Sequence, residues 1–492
     1  MFQKNRFATT DRRYTPKREL RDKVARTQRI FKEEPTINHE KNSITFTDAV
    51  LQVVPRDTHA FNGMAERAIR TLKEKAMANI MTAFGHLSKT DPCMFVKFDD
   101  ENKPILFISV STDDLLVAST KEDWRNLAQF LSTDFQGRFI TSQLDIENEC
   151  TSFNGIEIKR ESNHKISINL NVYTEKLIEE FRKKLHQIKP RSSLPIYKSG
   201  SEYQGREAEP CDQKEITEYQ SIIGQMTWLA CNTRPDLSHF TASASRASKN
   251  PNKGQLKLVR LSVGYLIANP KMSITFDGTG IDEIRLEAFT DAGESKTIFS
   301  QNLPRTDATN SRHTSGYVLS MGSGAIAWKS KQQTRTVGSI CHGEYTAAHL
   351  CLEEIKFVAE LLGDVGFPQT RTIMFIDNQA TIELMLANTS LKKHDKVTLH
   401  ILQEAVEDRI VIPVYIPGDV NIADLFTKAN PHKEEIWIKL INQIIGKNIT
   451  AIENRKLIYD IVKENYSSTN MVSESNSADK LWNHIREKHI IT

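Results

Sequence analysis

The sequence predicts an α/β multidomain chain whose C-terminal part is a mixed β-sheet with flanking helices. Three observations lead there. The chain has 492 residues, and at roughly 150 residues per domain it is too long for one small module. It is 39% hydrophobic and 26% charged, as folded water-soluble domains are. Short apolar runs of strand type alternate with helical periodicities over residues 284–430, in the order β-β-β-α-β-α-α-β-α, which a mixed sheet covered by helices accommodates. Lys+Arg 65 against Asp+Glu 62 leaves a net charge of +3, which by itself names no partner. No apolar run reaches the roughly 18 residues that span a bilayer. The start, MFQKNRFATT, has no apolar core of a secretory signal. None of the six cysteines forms a CxxC pair, which speaks for a reducing compartment and against zinc ribbons or a disulfide scaffold.

Residues 1–45 read as a basic arm, with eleven Lys/Arg against Asp11, Glu19 and Asp22 in the first 32 residues. A solvated leader and an arm that touches phosphates are both open readings. In the segment 46–88, Ala65, Ile69, Leu72, Ala76 and Ile80 recur at helical spacing. Over 89–186, the runs Ile105 to Val110 and Leu115 to Ser119 bracket Ser111-Thr112-Asp113-Asp114, a hairpin with two carboxylates at its tip. Gly155 to Lys159 and Lys165 to Leu170 form a second strand pair, and VYTEKLIEEFRKKL a helix. Residues 187–215, rich in Pro, Ser, Gly and charge, read as a linker. Residues 216–272 read as mainly helical, with a break at Asn232 to Asp236. Strands are expected at IRLEAFT, SGYVLSM, AIAWKS, TIMFI and VIPVYI. Helices are expected from Gly343 to about Leu362, from Asn378, over Val397 to Val406 and, briefly, from Val420. Residues 431–492 read as a polar tail, helical in places.

Four acids in the C-terminal region sit at strand ends or helix starts. Asp291 follows Phe289-Thr290, Glu344 opens the long helix, Asp377 follows Phe375-Ile376, and Asp424 opens the last short helix. A carboxylate beside apolar text costs desolvation unless it is paired or bound to a cation. Four together would make a hard-oxygen site for Mg²⁺ or Mn²⁺ rather than zinc. Two such ions about 3.5–4 Å apart suit in-line phosphodiester displacement. For each acid alone, Asp424 above all, a helix-capping role is the other reading.

From Ile284 to about Asn430 the motifs FTDAGES, HTSGYVLSMGSGAIAWKSKQQTRTV, HGEYTAA, FIDNQATIEL, KKHDKVTLH and NIADLFTKAN stand in order. Together they resemble the ribonuclease H domain of copia-type LTR retrotransposon Pol polyproteins. The resemblance implies a ribonuclease H-like fold in which Asp291, Glu344, Asp377 and Asp424 are catalytic and hold two Mg²⁺ or Mn²⁺ ions. It implies endonucleolytic cleavage of the RNA strand of an RNA–DNA hybrid. His394 and His400 match family histidines, with packing or substrate contact as the implied role. The family has a second Asp and a Trp after the first acid, where this chain has Gly293 and no Trp. Ser339-Ile340-Cys341-His342 stands in place of the family's Ser-Ser-Thr-Glu, and TIFSQNLPRTDATNSR is inserted before the second strand.

Upstream, NGIEIK, VYTEKLIEEF, EYQSIIGQMTWLACNTRPDLSHFTASASRASKNP and LVRLSVGYLIANP resemble the C-terminal half of the family's reverse transcriptase. This implies a partial palm and connection region ahead of the C-terminal sheet. DPCMFVKF with FISVSTDDLLVAS resembles its palm hairpin, with Ser111 and Thr112 in place of Tyr and Val. Nine residues, Thr82 to Thr90, separate this from the preceding segment. The fingers and the third polymerase carboxylate are missing in between, so Asp113 and Asp114 are vestigial on this reading. Pro55 to Met81 resembles the end of an integrase core, with Glu66 matching the last acid of its triad and no partner acids upstream. The chain is thus similar to an internally deleted Pol polyprotein. The expected partners are RNA–DNA hybrid, RNA, DNA and full-length element proteins, with no membrane. The expected location is cytoplasmic particles with nuclear access. Three function classes stand: a ribonuclease H, a non-catalytic nucleic-acid-binding relic, and a DNA polymerase that requires an Asp supplied by another chain.

Overall fold

The computed structural model describes residues 86–111, 114–134, 150–162, 165–184, 188–195, 205–277, 285–294, 312–369, 371–387, 396–428 and 434–446. The chain divides into two compact units. The first is built on a sheet of order β1-β2-β3-β4: β1 (His86–Leu87), β2 (Met94–Phe98), β3 (Pro104–Ser111) and β4 (Asp114–Ser119). Leu106, Ile108 and Val110 of β3 are buried in turn, the alternation that a sheet with one covered face requires, and Phe95 and Val96 of β2 are both buried. Helix α1 (Lys121–Asp134) follows. The Thr120 hydroxyl accepts from the Asp123 amide at 3.1 Å and donates to Asp123 Oδ2 at 2.6 Å, which satisfies the first helical turn. Lys97 Nζ, 2.6 Å from Asp123 Oδ1, ties β2 to this helix.

The second unit begins with β5 (Cys150–Phe153), β6 (Ile156–Ser162) and β7 (Lys165–Asn169), then α2 (Asn171–Lys184), α3 (Gln213–Asn232), α4 (Ser238–Ser245) and α5 (Lys253–Ala268). Asp212 before α3 and Asn252 before α5 each form a capping box, with Glu215 and Gln255 as partners. Residues of all four helices, among them Phe181, Tyr219, Ile222, Met226, Leu229, Phe240, Val259 and Leu266, share one buried cluster. Pro235 sits in the first turn of a short 3-10 helix (Pro235–Leu237) that separates α3 from α4, as the break in the sequence anticipates. Beneath it Arg234 is fully buried, its guanidinium 2.8 Å from Asp236, and the Tyr265 hydroxyl donates to the same carboxylate at 2.8 Å. In the segment expected as a linker, the Arg191 amide donates to Gly264 of α5 at 3.0 Å.

A strand absent from the sequence reading, β8 (Ser273–Asp277), returns to pair antiparallel with β7 and completes a sheet of order β5-β6-β7-β8. The mixed sheet follows: β9 (Leu286–Glu294), β10 (His313–Met321), β11 (Gly324–Gln332), α6 (Ile340–Asp364), β12 (Thr372–Ile376), α7 (Gln379–Leu386), α8 (Lys396–Glu407) and β13 (Val411–Tyr415). Its order is β11-β10-β9-β12-β13, antiparallel from β11 to β9 and parallel from β9 to β13. The period of two divides its residues between two cores. Phe289, Val318, Phe375 and Val414 pack on one face; Ala288, Leu319, Met374 and Val411 meet α6, α7 and α8 on the other. Within the segment expected as a polar tail, α9 (Glu434–Ile444) buries Leu440, Ile441 and Ile444 against the first face. At about 1.5–3 kcal/mol per fully buried aliphatic side chain, that face needs this helix.

Candidate metal centre

Strand β9 carries Asp291 beside Gly316 of β10, one strand away from β12. Asp377 follows the last residue of β12, immediately before Asn378, whose side chain caps α7 by accepting from the Thr381 amide at 2.9 Å. Glu344 lies in the second turn of α6, whose first turn is capped by the Ser339 hydroxyl accepting from the His342 amide at 3.1 Å. Parallel pairing of β9 with β12 puts both C-terminal strand ends on one sheet edge, and α6 starts over that edge. Carboxylate oxygens of Asp291, Glu344 and Asp377 lie within 4.8 Å of one another.

Asp424 arrives on a 3-10 turn (Ile422–Phe426), buried at 1% exposure. It is not the cap of that turn. Asn421 is, its side-chain oxygen accepting from the Ala423 amide at 3.0 Å, while its amide nitrogen donates to Thr290 O of β9 at 3.0 Å. The turn is thereby fastened to the strand that carries Asp291. The Thr427 hydroxyl donates to Asp291 Oδ2. Backbone room is scarce here: a Cβ on Gly293 would stand 2.7 Å from Thr427 O, and one on Gly316 2.6 Å from Thr427 Cγ2. The strand therefore has no space for the second acid that the resemblance leads one to expect at Gly293.

Four carboxyl groups in so small a volume oppose one another's charge. Burial first, then Asp291 and Asp377, push Glu344 up to about 10. Burial and Asp291 push Asp377 up to about 7, and likewise Asp424. Lys428 answers part of this charge, its Nζ 2.6 Å from Asp424 Oδ1 and 3.7 Å from Asp291 Oδ2. Burial works against the ammonium, but Asp291 and Asp424 outweigh it and raise its pKa. Glu344 accepts a backbone hydrogen bond from Ala292, and its Oε2 is buried with no partner. A buried carboxylate oxygen without a donor is costly, and a hard-oxygen donor set of this kind fits a divalent cation such as Mg²⁺ or Mn²⁺.

The other sequence candidates fall elsewhere. Glu66, Asp113 and His394 lie outside the described residues, and Asp114 opens β4. His400 stands exposed on α8, its Nε2 3.3 Å from Glu404, so it packs into no core. Thr427, Lys428 and Asn421 went unweighed in the sequence, although Lys428, four residues after Asp424, shares its side of a helical turn.

No family model matches the chain. Over 363 residues, 73% of this chain, it is 26% identical to the retrovirus-related Pol polyprotein from transposon TNT 1-94 of Nicotiana tabacum. Over 407 residues, 78% of this chain, it is 26% identical to the corresponding polyprotein from transposon RE1 of Arabidopsis thaliana. This chain is similar to retrovirus-related Pol polyproteins of transposons. The resemblance carried by the motifs thus extends along most of its length, while the chain spans about a quarter of these two relatives. Among solved structures, LC11-RNase H1 in complex with an RNA/DNA hybrid is 16% identical with a TM-score of 0.23, covering 30% of this chain and 97% of that one. No helix of the described residues is long and apolar enough to cross a membrane.

Proposed function

We propose that this Pol-like chain is a ribonuclease H that hydrolyses the RNA strand of RNA–DNA hybrids with two divalent ions, Mg²⁺ or Mn²⁺. The observation that carries the reading is the convergence of Asp291, Glu344 and Asp377, drawn from within β9, the start of α6 and the end of β12, to within 4.8 Å. On this reading Asp291, Glu344 and Asp377 would hold one ion, and Asp424 with Asp291 would hold the second. A divalent pair supplies activation of a water and stabilisation of the leaving oxygen in phosphodiester displacement. The chain's own part is to keep the oxygens in place. The Thr427 hydroxyl fixes Asp291, the Ala292 amide fixes Glu344, and Asn421 fastens the turn bearing Asp424 to β9. Without a cation, Glu344 holds a proton at neutral pH, since its affinity for one reaches to about 10.

DNA polymerase activity is lost on this reading. β2, which pairs with β3 in the first unit, and β1 beyond it read MFVKF and HL and carry no carboxylate to join Asp113 and Asp114. Glu66, without partner acids, leaves integration lost as well. Incubation with a labelled RNA–DNA hybrid and Mg²⁺ tests the proposal: the wild-type chain is expected to release RNA fragments and Asp377→Asn none. Equal cutting by both would defeat the assignment.

A further inference from the structure

Lys428 brings a cation of the chain's own into the carboxylate cluster. Its Nζ touches Asp424 Oδ1 at 2.6 Å and reaches to 3.7 Å from Asp291 Oδ2. Both carboxylates are 2% exposed, whereas the lysine side chain is 40% exposed. The ammonium thus enters from the solvent side and ends between two buried acids. Asp424 stands beside Asp291, outside the trio whose oxygens lie within 4.8 Å of one another, and it accepts a hydrogen bond from the lysine.

Arg234, in the same unit, shows what a permanent brace looks like. Its guanidinium is 2% exposed, grips Asp236 through two nitrogens and spends a third on Asn269 O at 2.9 Å. Lys428 makes no such fork. Its ammonium is a point charge on a flexible stem, and its backbone is held independently, the amide donating to Asp424 O at 3.1 Å. The head can therefore leave for water while the turn stays put.

We propose that the Lys428 ammonium is an intramolecular stand-in for the second divalent ion, which binds between Asp291 and Asp424 only by displacing it. This rests on the metal-dependent reading above and refines it. The trio takes one ion readily, and the second is admitted at higher concentration, at the cost of a salt bridge. Lys428 would then set the ion concentration at which the site is complete.

Titration of the full chain with Mn²⁺, counting free ion by electron paramagnetic resonance, tests this. Wild type is expected to show one tight and one weak site. In Lys428→Met the second site should tighten roughly tenfold, the scale of a close charge–charge coupling, while thermal stability without the ion falls. Lys428→Arg should keep the second site weak. A brace with no relation to the ion would lower stability and leave the second site as weak or weaker, which would overturn the proposal. If Lys428→Met does not fold, Lys428→Gln, which keeps a donor for Asp424, serves the same comparison. Failure of the underlying reading looks different: no Mn²⁺ bound by wild type, and the same blank titration for Asp377→Asn.

Discussion

Glu344 sits where a negative charge is hard to keep. Its carboxyl is raised from 4.5 to about 10, so the folded state binds its proton more tightly than the unfolded chain does. Folding stability from this group is complete below pH 4.5 and drains away as pH rises towards 10. At neutral pH without divalent ions the residue is a liability, and Glu344→Gln should raise the melting temperature by a few degrees. Mg²⁺ should then raise the melting temperature of wild type and much less that of the variant. A variant that melts lower than wild type without ions would show that the carboxyl is a structural support. All four acids of this cluster were legible as single residues, three of them because they stand beside apolar text where a charge needs a reason, and the set of four through the motifs that carry the resemblance. Lys428 was not, because a search for ligands passes over cations. That Asn421, not Asp424, caps the turn was also hidden, since both are good capping residues and only the hydrogen bond to Ala423 distinguishes them.

At the level of elements, β9 and the turn behind it are fitted together by what is missing. Gly293 and Gly316 leave the space that Thr427 fills. Gly293→Ala would drive a Cβ against a backbone carbonyl, which cannot swing away as a side chain can. We expect a loss of about 1–3 kcal/mol in chemical denaturation; an unchanged midpoint would show that the turn yields freely. The strands of the mixed sheet could be read because alternation, or a short unbroken apolar run, marks each one. β8 could not: SITFD is brief and lies directly behind the helical text that ends at Ala268, and its partner β7 lies far upstream. α1 was missed for a related reason, since KEDWRNLAQF is polar and buries little beyond Leu127. α9 was passed over because its apolar residues had no visible partner until the sheet face was known.

On the scale of the larger unit, helices and mixed sheet are joined by polar contacts, one half-buried and one buried. Trp328 Nε1 of β11 donates to Ala230 O of α3 at 2.7 Å, and His239 Nδ1 of α4 lies 3.2 Å from Phe426 O in the turn that bears Asp424. Burial, with Arg246 adding to it, lowers His239 from 6.5 to about 4. The unfolded chain therefore takes up a proton that the native one refuses. Stability is full above pH 6.5 and falls as pH drops towards 4, by at most about 3 kcal/mol. His239→Gln should flatten that slope in denaturation measured between pH 4 and 7; an identical slope would place the acid sensitivity elsewhere. Little of this was readable beforehand, because a histidine in helical text does not announce which carbonyl it will meet.

The late arrival of β8 also bears on how the chain comes off the ribosome. Lys165 cannot meet Asp277 until every helix from Asn171 to Ala268 has been synthesised. Until then the nascent polypeptide carries a strand whose outer backbone groups are open to any neighbour. Such an edge invites aggregation, and long-range pairing of this kind is slow to form. A product cut short before Ser273 would keep that edge for good, and would depend on chaperones to stay dispersed.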